Sequence, residues 1–199
     1  MFRKITLEDI IRITPDTFGG SLKKAGLSQV KTKYVGVVSS KLGYIIAVID
    51  IKVNPTGKII HGDGAVYHKV KFSILTFLPK LQEVIEGEVV EIADFGAFVR
   101  LGPIDALLHV SQLMDDYISY DEKQGMLAGR ETSRRLTSGD RIRVRITAVS
   151  IGKTGSSGKI GVTARQSGLG KTEWINKEFQ DPEKDKKIKN KKNKKDEKK

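Results

Sequence analysis

Phe98, Arg100 and His109 place an aromatic ring, a guanidinium and an imidazole within one short stretch, GEVVEIADFGAFVRLGPIDALLHVSQL, residues 87–113. Rings stack on bases, and cationic or N–H-bearing side chains bind phosphate oxygens. The chemistry open to this set is therefore noncovalent capture of a single-stranded nucleic acid. Sharing one surface requires two strands. Ala97, Val99 and Leu101 alternate with Phe98 and Arg100, the period of two that buries one strand face and leaves the other outward. After the turn residues Gly102, Pro103 and Asp105, a second strand buries Ala106, Leu108 and Val110 and turns Leu107 and His109 outward. Ahead of both, Asp94-Phe95-Gly96 forms the turn or bulge that aims Phe95 and Phe98.

Further strands must complete the support. Gly87 to Ile92 is one. Met114 to Ser138 is polar and without sustained periodicity, and reads as an inserted loop with a helical turn. From Gly139 the strand pattern returns, with Ile142, Val144 and Ile146 facing in and Arg141, Arg143 and Arg145 facing out. GKTGSSG, residues 152–158, resembles part of a phosphate-binding loop, but Thr147 stands where the first glycine belongs and the segment joins two strands. It reads as a hairpin loop. Ile160, Val162 and Ala164 then face in on a last strand, with Lys159, Thr163 and Arg165 opposite. Five short strands with glycine turns predict a small closed barrel. Gly168-Leu169-Gly170 ends it, and Thr172 to Phe179 is a short helix led by Trp174.

The first half has a different pattern. Phe2 to Leu7 is a short strand, and Thr14-Pro15-Asp16 breaks what precedes it. Phe18, Leu22, Ala25, Val30 and Tyr34 fall near helical spacing, with Gly26 costing roughly 1 kcal/mol relative to alanine. Val35 to Val38 and Tyr44 to Ile51 are neighbouring strands, Asn54-Pro55-Thr56-Gly57 is a turn, Lys58 to Ile60 a short strand and His61-Gly62-Asp63-Gly64 a loop. Val66 to Leu78 is a long strand in which Val66, His68, Val70, Phe72 and Ile74 alternate with Tyr67, Lys69, Lys71 and Ser73. The sum is an α+β domain, one helix on an antiparallel sheet. His61, Asp63 and His68 match no metal-ligand spacing and read as a polar turn before a strand. Gly62-Asp63-Gly64 lacks the frame of a phosphate loop. No metal or cofactor is expected.

Composition bounds the rest. The chain has 199 residues and no cysteine, so disulfides and thiolate metal sites are excluded and the fold rests on its core. The longest apolar run, Tyr44 to Ile49, is far too short to span a bilayer, and Met1 to Ile10 alternates charged with apolar residues, so a soluble cytoplasmic protein with no membrane partner is expected. The formal charge is +12, but Lys184 to Lys199 holds ten lysines against three acidic residues, leaving only +5 on the other 183 residues. Basicity as such therefore says little about the domains. The tail beyond Pro182 has almost nothing to bury and is expected to be disordered.

Gly87, Val89, Ile92, the run Phe95-Gly96-Ala97-Phe98-Val99, Leu108-His109-Val110-Ser111 and Leu113, with Gly139-Asp140 and Gly158-Lys159-Ile160-Gly161, resemble the S-one RNA-binding domain, an OB-fold variety. That resemblance implies an RNA face containing Phe95, Phe98, His109 and Lys159, beside which Arg100 projects. The family's aspartate position falls on Ser150, and the central insertion is longer than usual. Phe2, Gly43, Ile45-Ile46-Ala47-Val48, the run from Ile60 to Tyr67 and Val84 to Glu91 resemble the E-prime stalk subunits of archaeal RNA polymerase, counterparts of the seventh subunit of eukaryotic polymerase II. This resemblance covers about residues 1–170. It implies a ribonucleoprotein-like amino-terminal domain over residues 1–80, an S-one-type barrel over 81–170 and a tail over 171–199. On the same ground Asn54, Pro55, Gly57, His61, Gly62, Asp63 and Gly64 are candidate polymerase-docking residues, with the polymerase core, an F-type stalk partner in a heterodimer and single-stranded transcript RNA as partners.

The expected role is thus a noncatalytic polymerase subunit that binds emerging RNA and assists promoter opening. Two alternatives use the same barrel, a translation factor and an accessory subunit or substrate-holding part of a ribonuclease. Catalysis by this chain would need clustered carboxylates or a histidine-based nucleophile system, whereas its acidic residues fall in connectors and the insertion.

Overall fold

The computed structural model describes residues 1–122, 124–151 and 158–180. The chain divides into two compact units, Met1–Lys80 with Val149–Lys159, and Leu81–Ala148 with the chain from Ile160 on.

In the first unit, β1 (Phe2–Ile13), α1 (Leu22–Tyr34), β2 (Val38–Ser39), β3 (Gly43–Ile59) and β4 (Val66–Phe77) form a helix on a four-stranded antiparallel sheet of order β1-β4-β3-β2. The β1–β4 register runs unbroken from Phe2↔Phe77 to Ile13↔Val66. Ile11 and Ile13 of β1, Val70, Phe72 and Ile74 of β4, and Ile51 of β3 are buried on one side of the sheet. Each such side chain contributes on the order of 1.5–3 kcal/mol when removed from water. Val30, fully buried, is part of the same core. Gly26 lets the helix approach: a Cβ there would lie 2.7 Å from Val53 Cγ2 and 3.2 Å from Ile11 Cδ1. The propensity cost of that glycine is the condition for close helix–sheet contact.

The first strand extends to Ile13, so the break at Pro15 falls beyond six more paired residues. Phe18 precedes the helix and is exposed, because the helix begins only after Ser21. Of Val35 to Val38, only Val38 enters a strand. Asn54-Pro55-Thr56-Gly57 does not separate two strands but is a bulge inside β3, where the register slips between Val53 and Gly57. Proline has no N–H to give a ladder, and a bulge is where a sheet tolerates it.

The second unit is built on β5 (Val84–Ala93), β6 (Gly96–Arg100), β7 (Asp105–His109), β8 (Ile118–Asp121), β9 (Met126–Gly129), β10 (Arg135–Thr137), β11 (Arg141–Ser150), β12 (Lys159–Thr163), β13 (Gly170–Lys171) and α2 (Thr172–Gln180), of which only the last two residues of β11 and the first of β12 group with the first unit. One sheet runs β12-β7-β6-β5-β11-β13, and β12 also pairs with β11. Five strands therefore close on themselves, as an OB-fold requires. Val89, Ala97, Val99, Leu108, Ile142 and Val144 fill the interior at 1% exposure or less. Pairing between β12 and β7 is parallel, Gly161↔Leu107 and Val162↔Leu108.

The Met114 to Ser138 segment is corrected from a loop with a helical turn to a three-stranded antiparallel sheet, β8-β9-β10. Strands of three or four residues are too short to show a period, yet they bury Leu127 and Leu136 completely enough to need a ladder. Asp116 organises the connection after β9, accepting from the Thr132 N–H at 2.9 Å and its hydroxyl at 2.7 Å. Thr163, expected outward, is buried and donates to the Gln112 carbonyl. Val110 leaves the strand for a 3-10 turn and is only half-buried. At the carboxyl end, Trp174 and Ile175 are buried, the Arg134 guanidinium lies 5.6 Å from the Trp174 ring centre, and Lys171 pairs with Asp140 at 2.9 Å. Residues 152–157 of the expected hairpin loop and the lysine-rich tail lie outside the described residues.

Candidate nucleic-acid interface

The β5–β6 hairpin begins the site. Its turn is tight because Gly96 has φ +155°, and a Cβ there would meet the Leu108 carbonyl oxygen at 2.2 Å. Only glycine allows β6 and β7 to approach this closely. Asp94 accepts from the Phe95 N–H at 2.8 Å, and the Phe95 carbonyl accepts from the Val110 N–H at 2.9 Å. These bonds seat Phe95 beside the end of β7. Its ring, 46% exposed, meets the half-buried Phe98 ring edge to face, with centres 6.1 Å apart. That geometry suits an aromatic pair and leaves ring surface open to a stacked base.

His109 lies opposite Gly96 in the β6–β7 register, and so beside Phe95. It is exposed, and its Nδ1 accepts from the Ser111 N–H at 3.2 Å, with the Ser111 hydroxyl at 2.8 Å. A ring nitrogen that accepts carries no proton. With Nδ1 taken up in this way, Nε2 is the ring nitrogen that can donate. Phe95, Phe98 and His109 thus form one cluster, built by a hairpin and a cross-strand neighbour.

Arg100 sits one step along the barrel, opposite Asp105. Its Nε and Nη2 donate to the two carboxylate oxygens at 2.9 and 3.2 Å, and this pairing raises the guanidinium pKa above its ordinary value. Asp105, expected as a turn residue, is the first residue of β7 and the partner of Arg100. Only the register exposes that role, since both residues flank the same short turn. Lys159 opens β12 with its side chain exposed, and Ser150 ends β11, also exposed. Of the outward arginines on β11, Arg143 is held by Glu86 at 2.7 Å.

The candidate docking residues lie on the first unit. The Asn54 carbonyl faces His68 Nδ1 at 2.8 Å, and Asn54 Oδ1 accepts from the Thr56 N–H at 3.0 Å, so the bulge is fixed from both sides. His68 is buried in that role. Asp63 receives Arg12, Tyr67 and the Ala65 N–H, and its carboxyl is held well below the ordinary range, first by Arg12 and then by Tyr67. Among the described residues, no group of three or more His, Asp or Glu is placed to hold a metal ion. Ile59 and Ile60, exposed beside the loop, carry no pattern in the sequence that marks them as surface residues.

A helix-on-sheet domain followed by a closed barrel with an aromatic hairpin defines a class: a two-domain protein with an OB-type nucleic-acid-binding module. Residues 78–160 match the S1 RNA binding domain, and residues 8–64 match the SHS2 domain found in the N terminus of Rpb7p/Rpc25p/MJ0397. DNA-directed RNA polymerase subunit Rpo7 of Saccharolobus shibatae is 38% identical over 175 residues, spanning 88% of this chain and 97% of that protein. The Sulfolobus acidocaldarius subunit Rpo7 is 36% identical over 179 residues, 90% of this chain and 97% of that one. DNA-directed RNA polymerase II subunit rpb7 of Dictyostelium discoideum is 23% identical over 156 residues, 77% of this chain and 90% of that one. The chain belongs to the Rpo7 family of DNA-directed RNA polymerase subunits.

Proposed function

We propose that this chain is a noncatalytic stalk subunit which docks on the polymerase core together with an F-type stalk partner, and holds emerging single-stranded RNA on its barrel. We assign docking to residues 1–80 and RNA contact to 81–170. The observation that carries the RNA reading is the Phe95–Phe98 pair, Phe95 exposed and Phe98 half-buried, with His109 at its side. Stacking on such rings tolerates any base, and donors from His109 Nε2, Lys159 and Arg100 suit a passing phosphate chain. Asn54, Pro55, Gly57 and the His61–Gly64 loop supply the docking contacts. Docked on the core, the subunit is also proposed to assist promoter opening.

The noncatalytic reading is favoured by how the carboxylates are used: Asp63, Glu86, Asp105 and Asp140 each hold an arginine or lysine. None of the described helices is long and apolar enough to cross a membrane. A transcript carrying a photoreactive uridine at successive distances from its growing end, extended by polymerase reconstituted with this chain, tests the reading. Crosslinks should map to β6 and β7. Crosslinking confined to other subunits would overturn it, and RNA cleavage by the purified chain with a divalent metal would favour a ribonuclease instead.

A further inference from the structure

Asp63 accepts four hydrogen bonds: from Arg12 Nε at 2.9 Å, Arg12 Nη2 at 2.6 Å, the Tyr67 hydroxyl at 2.7 Å and the Ala65 N–H at 3.1 Å. The guanidinium grips both carboxylate oxygens, which fixes direction as well as distance. Arg12 is the penultimate residue of β1, Tyr67 the second of β4, and the two are direct partners in the β1–β4 register. One loop carboxylate is therefore held from two strands at once. Beside it stand Ile59, 76% exposed, and Ile60, 52% exposed. Large apolar side chains left in water at the end of a strand are suited to burial against another protein.

Exposed ion pairs generally add little to global stability. Four bonds converging on one half-buried loop carboxylate are better explained by the order they impose on the loop. We propose that Arg12 and Tyr67, acting through Asp63, are positioning residues that hold the 60–65 loop in the form in which Ile59 and Ile60 meet the polymerase core. A loop already ordered does not incur the ordering cost at binding. This rests on the docking role proposed above.

The test uses the full chain and polymerase core assembled without it. Asp63→Asn and Arg12→Gln should each speed amide exchange across residues 60–65 about tenfold, leave residues 70–77 unchanged, and weaken core binding about tenfold. Arg12→Lys keeps the charge without the fork and should restore part of both losses. Tyr67→Phe removes one bond, keeps the ring, and should fall between. Unchanged loop exchange in Asp63→Asn and Arg12→Gln would overturn the inference, as would faster exchange with undiminished binding. An Ile59→Asp/Ile60→Asp variant separates the two levels. Its loss of binding, beside full binding by Asp63→Asn, keeps the docking reading and removes the positioning role. Its full binding removes the docking reading itself.

Discussion

At the tip of the amino-terminal domain, polar groups do the holding: His68 fixes the Asn54 bulge, and Arg12 and Tyr67 fix the loop at Asp63. What they leave exposed is apolar, Ile59 and Ile60. On the barrel the arrangement is reversed. Buried Ala97, Val99, Ala106 and Leu108 set the register of β6 and β7, and the groups left outside are aromatic or polar, Phe95, Phe98, Arg100 and His109. An apolar surface presented by a polar frame suits a durable protein contact. Rings and donors presented by an apolar frame suit a ligand that must slide, because stacking and phosphate contacts are individually weak and sequence-tolerant.

The largest test of that contrast is at the two glycines that set the frames. Gly96→Val opposes a backbone carbonyl at a positive φ, so the barrel should lose about 3 kcal/mol or more, read by urea unfolding with a probe in each domain. Gly26→Ala meets side-chain methyls of Val53, Ile11 and Ile51 and no backbone atom nearer than these, and gains helix propensity, so the net loss in its domain should be about 1 kcal/mol. Equal losses would show that the two frames are not built differently.

Smaller changes sharpen the barrel side. Lys159→Ala should lower the magnitude of the salt slope of RNA binding by about 0.7, the contribution of one single-strand phosphate contact. Arg100→Ala should lower it by about the same amount, although that guanidinium also holds Asp105. A slope unmoved by either change would remove these two cations from the phosphate path.

The smallest expected effect lies at the tip and is one of pH. The folded-state carboxyl of Asp63 is depressed below its ordinary 3.8, chiefly by Arg12. The order it confers is therefore fully present above that ordinary value and is lost only as pH falls through the depressed one. Loop protection in the wild type should stay flat from about pH 7 to about pH 5, once corrected for intrinsic exchange. A loss of protection centred near pH 6 would mean that another group holds the loop.

Much of this was legible in the residues. The alternation of Ala97, Val99 and Leu101 with Phe98 and Arg100 gave β6 its faces, and the alternation from His68 to Ile74 did the same for β4. The insertion was not legible, because β8, β9 and β10 are too short to display a period and owe their strand form to burial of Leu127 and Leu136. Nor was the bulge at Asn54, since Pro and Gly there look alike in a turn and in an interrupted strand. Partners such as Arg12 and Asp63, or Arg100 and Asp105, depend on cross-strand register, which a linear pattern leaves open.

The central claim is that Phe95 and Phe98 hold single-stranded RNA. A fluorescence-anisotropy titration of a labelled single-stranded RNA with wild type and with Phe95→Ala/Phe98→Ala, checked for an intact fold, tests it most directly. Stacking losses of about 1–3 kcal/mol per base predict at least a fivefold weaker affinity with an unchanged salt slope. An unchanged affinity in the double variant would contradict the claim and leave the two rings as packing for the hairpin.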